Sequence, residues 1–93
     1  MNLTQEQLNI VKEMAYRLIS PELIAINLEV DVYDFKMALE ADGPIRTAFF
    51  SGYLQQLIET RDALIKSAHN GSNPAQLELL KFIRDLNRQM KYG

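Results

Sequence analysis

Residues 20–39, SPELIAINLEVDVYDFKMAL, decide the fold. Ser20 suits a helix cap, Pro21 suits the first helical position because its missing N–H would be unpaired there, and Glu22 favours the positive helix end. A short helix through about Leu28 follows. Asp31 then caps a further helix that carries Phe35, Ala38 and Leu39 inward, and Gly43-Pro44 stops it. Ala25 is the small residue that a helix-turn-helix needs where its two helices touch, and Ile24, Leu28, Val30, Phe35 and Ala38 supply the apolar contacts. In the common form of that motif a glycine four residues after the alanine makes the turn. Glu29 stands there instead, which asks for a somewhat different turn. The competing reading is a strand over residues 30–35, since Val30, Val32 and Tyr33 have high β propensity. No second segment is strand-like enough to pair with it.

Upstream, Thr4 and Gln7 have the spacing of a capping box. Leu8, Val11, Ala15, Leu18 and Ile19 recur at three- and four-residue intervals, which predicts a helix over about residues 5–18 with one apolar face. Downstream, Ile45 to Ala68 is a long periodic run in which Phe50, Leu54, Leu57, Ile58, Leu64, Ile65 and Ala68 form a wide apolar stripe, the pattern of a six-turn helix. Gly52 within it marks either a bend or the close approach of another helix. Phe49 and Phe50 point about 100° apart on a helix, so a second subunit or a helix wrapped on two sides has to cover both along with Tyr53. His69-Asn70-Gly71 reads as a helix end. Asn73-Pro74 repeats the cap-plus-proline start, and a last helix is expected to about Met90. The fold class is therefore all-α, with an N-terminal three-helix helix-turn-helix-like unit (1–43) followed by two longer antiparallel helices (44–93), the whole forming one domain.

Composition narrows the function. The 93 residues include no cysteine, which removes disulfides, thiolate metal sites and a cysteine nucleophile. The N-terminal residues lack the basic and apolar regions of a leader, and no run approaches a membrane span. A cytoplasmic protein with no membrane partner is the expectation. The net charge of −2 hides an asymmetry: residues 1–45 sum to −5 and residues 46–93 to +3. A polyanion should prefer the second half. There, Lys81, Arg84, Arg88 and Lys91 are spaced three, four and three apart and share one helical face, opposite Leu79, Ile83, Leu86 and Met90. This is the better candidate for phosphate contacts, although an ordinary solvated helix face has the same pattern.

On the third helix the positions that would meet base edges in a major groove are Val32, Tyr33 and Lys36. Asp31 and Asp34 beside them oppose phosphate. No apparatus for catalysis is visible: His69 is the sole histidine and has no carboxylate at ligand spacing, Ser20, Ser51, Ser67 and Ser72 have no neighbouring base while Ser20 and Ser72 have capping uses, and the four glycines are isolated. Neither a metal nor any other cofactor is expected, and the chain reads as a binding protein rather than an enzyme.

The chain resembles the small terminase subunits of tailed phages and related prophage DNA-packaging proteins. The likeness runs from the helix-turn-helix with Ser20-Pro-Glu-Leu-Ile-Ala-Ile-Asn-Leu28, through the long helix with Phe49-Phe-Ser-Gly-Tyr53 and Ala68-His-Asn-Gly71, to Ser72-Asn-Pro-Ala75 leading into Leu77–Phe82. What the resemblance implies is a non-enzymatic subunit that recognises double-stranded DNA, forms a ring or other homo-oligomer, and delivers DNA to a large packaging subunit. Two alternatives remain open: a helix-turn-helix transcriptional regulator, and an adaptor whose long helices bind another protein.

Overall fold

A computed structural model describes residues 1–92, apart from the side chains of Lys91 and Tyr92. Five helices account for most of it: α1 (Gln5–Tyr16), α2 (Pro21–Asn27), α3 (Val32–Glu40), α4 (Pro44–His69) and α5 (Asn73–Tyr92). The described residues contain no strand, so the strand reading of 30–35 falls. Asp31 decides the matter, because its carboxylate accepts from the Asp34 amide at 2.9 Å and commits the following residues to a helix.

Each helix start has a local cause. The Thr4 hydroxyl accepts from the Gln7 amide (3.1 Å) while the Gln7 side chain accepts from the Thr4 amide (2.9 Å), closing the capping box. Ser20 accepts from the Leu23 amide at the head of α2. At α5 the cap is Ser72, which accepts from the Ala75 amide, rather than Asn73. Asn73 and Pro74 instead occupy the first helical turn, where amides have no intrahelical partner in any case.

The first helix ends two residues earlier than periodicity predicts. Leu18 lies beyond it in a left-handed conformation (φ 62°), 60% exposed instead of facing the core. Its amide donates to the Ala15 carbonyl and that of Ile19 to the Met14 carbonyl, the paired bonds of a Schellman ending.

The chain divides into two compact units, Met1–Leu57 and Ile58 onward, with the dividing point inside α4 rather than at 43/44. In the first unit Val11, Ile24, Ala25, Phe35, Leu39 and Ile45 form a buried cluster, flanked by half-buried side chains that include Met14, Leu28, Ala48 and Phe49. The beginning of α4 thus belongs to the N-terminal core. Gly52 explains how α4 can lie there: a Cβ at this position would overlap the Lys12 carbonyl and stand 3.1 Å from the Tyr16 amide nitrogen. Close helix approach, not a bend, is its role. Gln56 reinforces the crossing by donating to the Tyr16 carbonyl at 2.8 Å, and Arg46 donates to the Leu39 carbonyl at 2.6 Å. Phe50 stays 43% exposed, stacked edge-to-face with Phe49 and Tyr53 and covered on one side by the Arg46 guanidinium.

In the second unit the end of α4 turns back into α5 as an antiparallel hairpin. Gly71 (φ 96°) takes the left-handed position, with the Gly71 and Ser72 amides donating to the Ala68 and Ser67 carbonyls. Gln76 donates to the Ala68 carbonyl, and farther along Arg61 stacks over the Phe82 ring at 3.5 Å. Ala68 and Ala75 are the buried residues of this unit among those described.

Candidate nucleic-acid interface

The α2–α3 connection is built on Ala25, which is fully buried with Ile24 and Phe35. Any larger side chain at 25 would force the two helices apart. The chain then turns at Glu29, whose φ of 58° is the left-handed conformation that glycine takes in the common motif. The expected departure in turn geometry is therefore absent. Glu29 adopts the usual turn and bears its strain, on the order of 1–2 kcal/mol for a residue with a Cβ. The Val30 amide donates to the Ala25 carbonyl and the Glu29 amide to the Ile26 carbonyl, each at 3.1 Å. Val30 itself packs on the core and holds the turn shut.

The three sequence candidates on α3 separate here. Val32 is half-buried against the core cluster, so it faces inward rather than toward a groove. Tyr33, in contrast, is 69% exposed. Lys36 is exposed as well, with its ammonium 3.9 Å from the Glu22 carboxylate. Of the two acidic neighbours, Asp31 directs an oxygen at the helix amides, while Asp34 lies free on the surface beside Tyr33.

On α5 the described cations are all exposed. Lys81 lies 3.7 Å from Glu78, and Arg88 lies 3.9 Å from Asp85. Arg84 has no ion-pair partner among the described residues. The side chain of Lys91 lies outside the described residues. Exposed pairs of this kind contribute about 0–1 kcal/mol and exchange readily for another anion, so they temper the cationic stripe without abolishing it. Pairing with acids three residues earlier was readable from the sequence; so, less directly, was the loss of Arg61 to the Phe82 ring, since Arg61 lies nine residues before Asn70 and Phe82 ten after Ser72, nearly level across the turn. The α3 and α5 candidates belong to different units.

Among the described residues no group of three His, Asp or Glu is arranged to hold a metal, and no helix is long and apolar enough to cross a membrane. No family model, curated protein or solved structure matches the chain.

Proposed function

We propose that this chain is a non-enzymatic DNA-binding protein of the helix-turn-helix kind, similar in role to a small terminase subunit. The observation that carries the reading is the α2–α3 turn: Ala25 is buried at the helix contact, Glu29 is left-handed four residues on, and Tyr33 and Lys36 stand on the outer face of α3. In this reading α3 enters the major groove of double-stranded DNA, with Tyr33 and Lys36 at the base edges and Lys36 exchanging Glu22 for phosphate. Lys81, Arg84 and Arg88 add phosphate contacts, which displace counterions and supply affinity without sequence preference. A large packaging subunit is the protein partner that this role calls for.

The test is a titration against double-stranded DNA at two salt concentrations. Binding should weaken with salt, and replacing Lys81, Arg84 and Arg88 by alanine should reduce the slope of log K against log salt by about 3. Tyr33→Ala with Lys36→Ala should relax discrimination between sequences while leaving most of the salt dependence. Absence of salt-sensitive binding near physiological ionic strength would rule the proposal out. The adaptor role is the second reading, favoured by the exposed Leu80, Ile83 and Met90 side chains on α5.

A further inference from the structure

We propose that one broad side of the α4–α5 hairpin seats a second copy of this chain, two hairpins closing face to face into a symmetric four-helix bundle. Within the hairpin, Arg61, Leu64 and Ala68 of α4 and Ala75, Glu78, Leu79 and Phe82 of α5 are the buried or half-buried positions. Stepping one residue onward from these on either arm leads to the same broad side, because the two right-handed helices run in opposite directions. That side carries Ile65 after Leu64, Leu80 after Leu79 and Ile83 after Phe82, with Ile58 one turn before Arg61 and Leu86 and Met90 extending the row; Asp62, His69 and Gln76, which follow Arg61, Ala68 and Ala75, share it. The six apolar side chains are 38–69% exposed. The opposite side carries Glu78, Lys81, Asp85 and Arg88 in two ion pairs. The hairpin is thus mainly apolar on one side and mainly charged on the other, with Ala68 and Ala75 as its buried residues among those described.

The occupant follows from area and charge. The six side chains expose on the order of 600 Å², close to the roughly 800 Å² that each partner contributes to a standard stable interface. A copy of the same face meets that demand with an equally apolar surface. Asp62 lies in the row on α4, between Ile58 and Ile65, and Arg84 flanks it at the outer edge of α5, one turn beyond Leu80; neither has an ion-pair partner among the described residues. Counted outward from Gly71, Asp62 lies nine residues back and Arg84 thirteen on, so their heights differ by four residues, about 6 Å at 1.5 Å per residue, a gap that an arginine side chain spans. A two-fold axis running along the hairpin sets α4 of one copy against α5 of the other, and so places each Asp62 across from the other copy's Arg84. Such a contact is isologous and closes at two copies; a ring would need two different complementary faces on each hairpin.

Sedimentation equilibrium of the full chain tests this independently of any DNA binding. The expected mass is twice 10.7 kDa. Ile83→Glu should return it to a monomer with its helical circular dichroism retained. Asp62→Arg should weaken the dimer at least tenfold, and adding Arg84→Asp should restore it. That charge exchange sits at exposed positions, so it decides the matter even if Ile83→Glu unfolds. A monomeric mass at the highest soluble concentration, a mass of three or more copies, or failure of the exchanged pair to recover the dimer would overturn the proposal.

Discussion

Three residues, Leu18, Glu29 and Gly71, hold the same left-handed position at the ends of α1, α2 and α4, yet one alone is a glycine. A side chain with a Cβ is strained there, so both others tolerate a cost that their surroundings must offset. Those surroundings are visible: Ile19 and Val30, the residues that follow, pack on the N-terminal core and pin each turn in place. Leu18→Gly and Glu29→Gly should therefore each stabilise the protein by about 1 kcal/mol, raising the melting temperature by about 4–8 °C. Gly71→Ala should lower it by a similar amount. If Glu29→Gly destabilises the protein in a thermal melt, the strain assignment is wrong. The sequence alone could not expose this feature, because a glutamate does not announce a positive φ. Its position four residues after Ala25 was legible, but the conformation was decided by Val30 finding a place in the core.

At the scale of helices, all five were legible, as were the caps at Thr4, Ser20 and Asp31; the end of α1 and the cap of α5 were not. Periodicity and caps locate α1 to α5 to within about two residues, since an apolar face repeats along an entire helix. A boundary depends on a single residue. Ser72 and Asn73 are both good caps, and Pro74 fits either of the first two helical positions; the structure uses Ser72. Ser72→Ala should accordingly cost about 1 kcal/mol and Asn73→Ala only a few tenths in denaturant unfolding. The reverse order would return the cap to Asn73. Gly52 belongs to the same scale, because its effect lies in how closely α4 can approach α1. Gly52→Ala would improve helix propensity by about 1 kcal/mol in an isolated helix. Here the added methyl meets the Lys12 backbone, which cannot rotate away, so a net loss of about 2–3 kcal/mol is expected from overpacking. Chemical denaturation gives the sign directly.

Across the molecule, burial is uneven in a way that charge and periodicity do not disclose. The basic stripe and the apolar face of α5 were both apparent as patterns, but a pattern does not say how many neighbours cover it. Val32 shows the same gap from the other direction, as a predicted surface residue that lies half-buried against the core. In the N-terminal unit Phe35, Ile24 and Val11 are wholly buried, whereas the hairpin's own buried residues are alanines, which shelter little apolar area. Local opening free energy follows such burial. Amides of α2 and α3 should therefore exchange most slowly with deuterated solvent, and those of α5 faster. Phe35→Ala, expected to cost about 3–5 kcal/mol, should accelerate exchange throughout the N-terminal unit. Ile83→Glu should instead accelerate it in α5 while leaving α3 protected, because the contact it removes is made by the hairpin and not by the N-terminal core. Equal protection of α3 and α5 that survives Ile83→Glu would mean that the hairpin is stabilised by something other than a second copy, and would transfer the burden of its stability to the alanine seam itself.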